Sequence, residues 1–244
     1  MSMTEPDSEL GRKAEALVRE SHRPEGGEGR FPSHPLWRRL RELGTELWLD
    51  SGDIEEISDV WTREFSGLTT NNSLLNKEIQ KGTYDALIER TAEMLDAYPL
   101  LTEEDRRLEV AFVLNTHHAL RLVERFDAHV SVEEHTVLAG DLAAAINYAR
   151  RFHALYPTRF YVKMPFSSAS LLATRRVRSP GDPSACAVQW FDVEGGSEEE
   201  PQRETDRARF IGRGRDQRAP AALDGDLSGT VGTVLDPVFS LRRR

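Results

Sequence analysis

Four short apolar segments of this 244-residue sequence each end in a polar residue that can take part in chemistry. These residues are Asp50, Asn71, Glu133 and Lys163. Strands of a parallel sheet covered by helices are buried on both faces and consist mainly of apolar residues. In α/β barrels, catalytic groups extend from the carboxyl ends of the strands into a common opening. The pattern therefore predicts that the four side chains meet in one site.

Lys163 is the residue that we expect to do covalent chemistry. It stands between Phe160-Tyr-Val and Met164-Pro165, where a fully exposed lysine is not expected. Burial in apolar surroundings disfavours the charged ammonium and releases an amine that can attack a carbonyl to form a Schiff base. The alternative is a lysine on an edge strand, or one whose stem reaches along apolar surface to water. For a lone lysine in an apolar run, that alternative is more common. The polar residues at the other three strand ends favour the catalytic interpretation instead.

The other candidates also have ordinary structural interpretations. Asp50 is either an acid/base group or a turn or helix-cap residue in Asp50-Ser-Gly-Asp53. Asn71 and Asn72 resemble an ordinary turn or helix cap, which is the more common role for such residues taken in isolation. Of Glu133 and Glu134, side-chain alternation along a strand predicts that one points into the site and the other away from it.

Apolar segments alternate with amphipathic helical segments between residues 37 and 176. We predict strands at residues 46–50, 67–71, 128–133 and 159–165. Helices are predicted to begin at Asp53, to run from 73 to about 97 with an interruption near Gly82, and to cover 103–126 and 141–156. Strands separated by helices indicate an α/β fold with parallel pairing.

The two ends of the chain differ from this middle region. Residues 1–36 form a polar segment with one helical pattern (Leu10, Ala14, Leu17 and Val18) and a linker at residues 24–32. Residues 177–244 have no sustained period and are rich in Pro, Gly, Arg and acidic residues, which is typical of disorder. We therefore expect three parts: 1–36, 37–176 and a disordered tail at 177–244.

Composition excludes several classes of partner. The formal net charge of −9 and the pI of about 5.4 argue against nonspecific nucleic-acid binding and against adhesion to an anionic membrane. No apolar run approaches the roughly 20 residues of a membrane span, and the N-terminus lacks a signal-peptide pattern. The single cysteine, Cys186, and the histidine spacing predict no disulfide and no metal site. We expect a cytoplasmic protein; the sequence does not predict its oligomeric state.

Four motifs resemble, in order, the first four strand motifs of transaldolases. They are Leu47-Trp-Leu-Asp-Ser-Gly-Asp53, Leu68-Thr-Thr-Asn-Asn-Ser-Leu-Leu75, Val130-Ser-Val-Glu133 and Phe160-Tyr-Val-Lys-Met-Pro165. The resemblance spans roughly residues 43–175 and implies a TIM (β/α)8-type barrel that is incomplete, since only about half of a full barrel is matched. It also implies transfer of a dihydroxyacetone unit between sugar phosphates in the pentose phosphate pathway, with no metal or organic cofactor.

The resemblance assigns a role to each matched residue. Lys163 corresponds to the Schiff-base lysine, Asp50 to the acid/base aspartate, and Glu133 to the glutamate that works through a water. Asn71 corresponds to the asparagine that positions the intermediate, and Thr70, beside it in the same motif, is expected to contact substrate.

This chain departs from the family pattern in two places. The family often has Asn-Pro where this chain has Asn71-Asn72, which alters the turn after the strand. After Arg176 the family's later strand motifs and its phosphate-binding arginine are not recognisable, so the fourth strand is expected to have an unpaired edge. A reading frame disrupted after about Arg176 is one explanation. The alternatives to an active transferase are an inactive remnant or partner-binding protein, and a related Schiff-base aldolase without transfer.

Overall fold

The computed structural model describes residues 8–22, 31–178 and 187–191, the last stretch as backbone only. The strands are β1 (Leu47–Asp50), β2 (Phe65–Thr69), β3 (His129–Glu133), β4 (Phe160–Pro165) and β5 (Ala187–Phe191). The α-helices are α1 (Glu9–Ser21), α2 (Pro35–Glu42), α3 (Ile54–Val60), α4 (Asn72–Ile79), α5 (Asp85–Asp96), α6 (Glu103–Phe126), α7 (Leu142–Leu155) and α8 (Ser168–Val177); a 3-10 helix covers Thr136–Gly140.

The five strands form one parallel sheet in the order β1-β2-β3-β4-β5. Helices connect β1, β2, β3 and β4 in turn, as parallel pairing requires. The predicted α/β class, its first four strands and the interruption near Gly82 are confirmed; Gly82 has a φ of +76° between α4 and α5. This architecture is that of an incomplete TIM-type barrel.

The expectation that the fourth strand has an unpaired edge was wrong. β5 pairs with β4 in parallel from Tyr161 to Pro165. The sequence of β5, Ala-Val-Gln-Trp-Phe, contains strand-forming residues, but a five-residue run inside polar sequence gives no periodic signal. The prediction of a structureless tail therefore fails for residues 187–191. For residues 179–186 and 192–244, the prediction of disorder lies outside the described residues.

The two faces of the sheet carry different kinds of side chain. One face is aliphatic, fully buried and packed against helices, as the 3.5 Å contact from Thr174 Oγ1 of α8 to Met164 Sδ shows; its fully buried members are Leu49, Leu68, Val130, Val132, Val162 and Met164. By alternation, Asp50, Thr69, Glu133 and Lys163 lie on the opposite face. Three of the four polar residues singled out from the sequence, Asp50, Glu133 and Lys163, therefore share the face that lines the interior of a barrel.

An aromatic layer lies on the same face, closer to the amino ends of the strands. The Trp48 ring stacks on His129 with 6.4 Å between ring centroids and meets the edge of Tyr161 at 5.2 Å. Gly67 is paired with Trp48 in the sheet, and the indole covers it. A glycine is required here because the ring occupies the space of a side chain.

Substitution Gly67→Ala is expected to destabilise the protein. The added Cβ would lie 2.5 Å from two ring carbons of Trp48 and would push the indole out of its stack. We expect a loss of roughly 1–3 kcal/mol in the free energy of unfolding, measured by urea denaturation. The control is Gly140→Ala, whose added Cβ would meet nothing within 4 Å. Equal losses in the two variants would contradict the steric explanation.

Helix α1 belongs to the same packed body as the sheet. Ser8 caps it by accepting a hydrogen bond from the Gly11 amide at 2.9 Å. Its predicted apolar positions are all buried, and Leu10 packs with Leu95 of α5 and with Leu101. The predicted boundary at residue 36 falls within α2, and most of the predicted linker lies outside the described residues.

Candidate active site

Lys163 and Glu133 form a buried pair near the carboxyl ends of β4 and β3. The two residues are paired in register, and they are 4% and 6% exposed. Lys163 Nζ lies 2.9 Å from Glu133 Oε2. Because β4 lies between β3 and β5, Lys163 is not on an edge strand. Because its ammonium is buried, it does not extend to water. Both structural alternatives considered for this lysine are therefore wrong.

The surroundings of Lys163 are more polar than the sequence predicted. Besides Glu133, Nζ donates to the Thr70 carbonyl at 2.5 Å and to Thr69 Oγ1 at 3.4 Å. The expectation of an unpaired ammonium in apolar surroundings was wrong, since the acceptors come from β3 and from the carboxyl end of β2 and not from residues adjacent in sequence. These contacts stabilise the ammonium, so a nucleophilic amine requires a proton acceptor, and Glu133 is placed to be one.

Thr70 and Asn71 have different places in the site. Thr70 is 2% exposed; its carbonyl contacts Lys163, and its amide and hydroxyl donate to the Ser131 carbonyl at 3.3 and 3.2 Å. Asn71 caps α4, because its Oδ1 accepts a hydrogen bond from the Leu74 amide at 2.8 Å. The structural interpretation of Asn71 as a helix cap is thus the one observed, and its role towards substrate stays a prediction.

Asn72 is the site residue that the sequence reading missed. Its amide N–H and its Nδ2 donate to Glu133 Oε1 at 3.3 and 3.1 Å. Asn115 of α6 in turn donates from Nδ2 to Asn72 Oδ1 at 3.2 Å. Two features of the sequence could have indicated it. One is that Asn72 replaces the proline that the family often has in the second motif, and the other is that Asn115 places an amide side chain on the buried face of α6.

Asp50 lies at the end of β1, on the face that carries Lys163. It is paired in register with Thr69, whose hydroxyl is 3.4 Å from Lys163 Nζ. Asp53, and not Asp50, caps α3 by accepting hydrogen bonds from the Glu55 and Glu56 amides. The helix-cap interpretation of Asp50 is therefore wrong, and a role as acid/base stays open to it.

The loop that follows Asp50 packs against a buried histidine of α6. A Cβ on Gly52 would lie 3.2 Å from His118 Nε2. His118 Nδ1 lies 2.7 Å from the Tyr84 hydroxyl, which accepts a hydrogen bond from Arg121 at 3.2 Å. Burial lowers the pKa of His118 to about 3, so the imidazole is neutral. This pair gives the Asp50 loop a rigid support.

Glu134 points away from the Glu133–Lys163 pair. Its side chain is fully buried, and within the described residues neither carboxyl oxygen has a hydrogen-bond partner. Burial raises the pKa of Glu134 well above its usual value, which favours the neutral acid. The Glu134 amide donates to the Lys163 carbonyl at 2.9 Å, but of the two adjacent glutamate side chains only that of Glu133 contacts Lys163.

The described ranges contain neither a candidate metal site nor a candidate membrane-spanning helix. No group of three or more His, Cys, Asp or Glu side chains among residues 8–22 and 31–178 is arranged to hold a metal ion. Within the described part of the chain, no helix combines the length and the apolar character needed to cross a membrane.

Comparison with known proteins gives one match to a family of glycosyl hydrolases and one to a glucan synthase. The family model of the glycosyl hydrolase 94 supersandwich domain matches residues 151–244. The cyclic β-(1,2)-glucan synthase NdvB of Rhizobium meliloti is 49% identical over 72 residues, which are 29% of this chain and 2% of that protein. So small a share does not bring that protein's activity to this chain. A family match over residues 151–244 argues against a disrupted reading frame after Arg176.

The transaldolase match covers the site. The family model of transaldolase/fructose-6-phosphate aldolase matches residues 47–184, more than half of the chain. Transaldolase 2 of a Nostoc species and Transaldolase 2 of Nostoc punctiforme are each 28% identical over 157 residues. The aligned region is 58% of this chain and 40% of each relative, so the chain spans less than half the length of these two transaldolases. From residue 47 to residue 184, β1 to β4 and the side chains around Lys163 included, the chain belongs to the transaldolase/fructose-6-phosphate aldolase family.

Proposed function

We propose that this chain forms a Schiff base at Lys163 and transfers a dihydroxyacetone unit between sugar phosphates, as a cytoplasmic enzyme of the pentose phosphate pathway. Family membership supports a general aldolase or transaldolase-like role. The observation that carries the finer proposal is the buried contact of 2.9 Å between Lys163 Nζ and Glu133 Oε2 at the carboxyl ends of adjacent parallel strands. The substrates follow from the family and not from a bound ligand.

The first step is formation of the imine. Glu133 Oε2 accepts a proton from the Lys163 ammonium, and the free amine attacks the ketose carbonyl to give a carbinolamine. The carbinolamine hydroxyl then takes a proton from Glu133, directly or through a water, and leaves as water. The product is a protonated imine on Lys163. Glu133 is suited to both transfers because it contacts the nitrogen that loses the proton.

The second step is cleavage and transfer. Asp50 accepts the proton of the substrate's C4 hydroxyl as the C3–C4 bond breaks, and the bond's electron pair moves to the protonated imine to give an enamine. The aldehyde product leaves. The enamine then attacks an acceptor aldehyde, Asp50 returns its proton to the new alkoxide, and hydrolysis of the imine releases the new ketose.

Two alternatives predict different products. A Schiff-base aldolase that does not transfer would release free dihydroxyacetone whether or not an acceptor aldehyde is present. An inactive remnant, or a protein that only binds partners, would form no covalent intermediate. The expected transferase gives a new ketose only when the acceptor is present.

Borohydride trapping tests the covalent step. With fructose 6-phosphate present, we expect a stable reduced adduct in the intact mass, located on Lys163 by peptide mapping. The chain has four lysines, Lys13, Lys77, Lys81 and Lys163, and Lys163 is the buried one among them. The expected adduct therefore has a single position in the chain.

Two variants control the trapping experiment. Lys163→Met is expected to give no adduct, whereas Lys77→Met, which removes an exposed lysine of α4, is expected to trap as the unchanged chain does. Circular dichroism and cooperative urea unfolding verify that each variant is folded. Absence of an adduct on folded, unchanged protein, or an adduct that persists in Lys163→Met, would refute the proposal. Product analysis with and without acceptor aldehyde then separates transferase from aldolase.

A further inference from the structure

We infer that Asn72, held by Asn115, is a positioning residue that fixes the Glu133 carboxylate against Lys163. The inference rests on the proposed function, because it explains how Glu133 is kept ready for proton transfer. It concerns the asparagine after the helix cap, a position that the motif resemblance gives no role.

The hydrogen bonds divide the two oxygens of Glu133 between separate partners. Oε1 accepts from the Asn72 amide N–H at 3.3 Å and from Asn72 Nδ2 at 3.1 Å. Oε2 contacts Lys163 Nζ at 2.9 Å. Because Asn72 occupies one oxygen from two directions, rotation of the carboxylate would break both bonds. The oxygen facing Lys163 is therefore defined by the contacts on the other oxygen.

Asn115 fixes the orientation of the Asn72 side chain. An asparagine amide has one accepting and one donating end, and the Asn115 Nδ2 donates to the accepting end, Asn72 Oδ1, at 3.2 Å. The donating end, Asn72 Nδ2, is then directed to Glu133 Oε1 and to the Glu134 carbonyl at 3.3 Å. Asn115 is 4% exposed on the 24-residue helix α6, so the chain of hydrogen bonds begins from a rigid element.

The place of Asn72 in the fold adds to this effect. It is the first residue of α4, which Asn71 caps. The free N–H groups at the start of a helix favour negative charge. The backbone and the side chain of Asn72 thus both donate to Glu133 Oε1. Without the side chain, Oε1 keeps only the backbone donor, so the carboxylate is held less firmly against Lys163.

A double-mutant cycle on the rate of borohydride trapping tests the inference. We expect Asn72→Ala to lower the trapping rate by about 10-fold, the effect of losing one hydrogen bond to a charged group. In a Glu133→Gln background the same substitution is expected to have less than a 2-fold effect, because the carboxylate that Asn72 positions is gone. Asn115→Ala is expected to have a smaller effect than Asn72→Ala in the same direction. Asn76→Ala, an exposed position on α4, is the matched control.

The outcomes separate this inference from the proposed function. Equal effects of Asn72→Ala in both backgrounds would overturn the inference, since a purely structural role does not depend on Glu133. The nuclear magnetic resonance signals of the Asn72 side-chain NH2 group give a readout that needs no activity. A change in these signals on Glu133→Gln, in a chain that does not trap substrate, would support the contact while refuting the proposed function. No change would overturn the inference whether or not the chain traps.

Discussion

Asp50→Asn is expected to lower transaldolase turnover by roughly 10²- to 10⁴-fold while leaving the trapped adduct on Lys163 in place. Asparagine has nearly the shape of aspartate but does not accept a proton from the C4 hydroxyl. In the proposed mechanism, Lys163 and Glu133, which lie on β4 and β3, form the imine without Asp50. The chain is then expected to stop before the C3–C4 bond breaks. Turnover is measured by the aldehyde released, and trapping by intact mass.

Asp53→Asn is the matched control for this result. Asp53 is three residues further along the same loop, caps α3 and forms an ion pair with Lys81 at 2.8 Å. Asparagine also serves as a helix cap, so turnover is expected to stay within about 2-fold if a surface ion pair contributes little. If Asp50→Asn lost trapping together with turnover, Asp50 would act before cleavage. If Asp53→Asn matched the loss of turnover, the shape of the loop and not the Asp50 carboxylate would be responsible.

The first four strands could be predicted because each gives a local signal. Buried strands are nearly unbroken apolar runs, and their polar ends stand out against them. Helix starts were likewise visible, as at Asp53, whose side chain accepts from two amides of α3. Gly82, with its positive φ, lies in the turn between α4 and α5, the two helices into which the predicted long helix divides. Each of these signals depends on residues within a few positions of one another.

The detailed contacts of the site could not be predicted because they join distant residues. Glu133 and Asn72 are 61 positions apart, and Asn72 and Asn115 are 43 apart. Periodicity places such residues on a face or at a strand end, but it does not choose between neighbours such as Asn71 and Asn72. The polar surroundings of Lys163 were missed for the same reason, since Thr69 and Thr70 reach it from β2.

A buried ion pair between α6 and α7 is a further feature that the sequence did not predict. The Arg151 guanidinium donates to both carboxylate oxygens of Glu109, at 2.6 and 2.7 Å, and both side chains are fully buried. The Tyr148 hydroxyl donates to Glu109 at 2.8 Å, and the guanidinium lies 4.0 Å from the centre of the Phe112 ring. The pair joins the long helix α6 to α7, which leads directly into the strand of Lys163.

Arg151→Met is expected to lower the free energy of unfolding by about 3–5 kcal/mol, because it leaves the Glu109 carboxylate buried without its counter-charge. Replacing both partners, as Glu109→Leu with Arg151→Met, is expected to recover most of this loss, since apolar residues of similar volume tolerate burial. Urea denaturation measures both. Arg106→Met is the control. Arg106 lies 3.3 Å from Asp96, whose side chain is 79% exposed, so the loss in the free energy of unfolding is expected to be at most about 1 kcal/mol. If Arg151→Met lowered the free energy of unfolding no more than Arg106→Met, the buried pair would not be what holds α7 against α6. The pair would then also not stabilise the position of β4, the strand of Lys163.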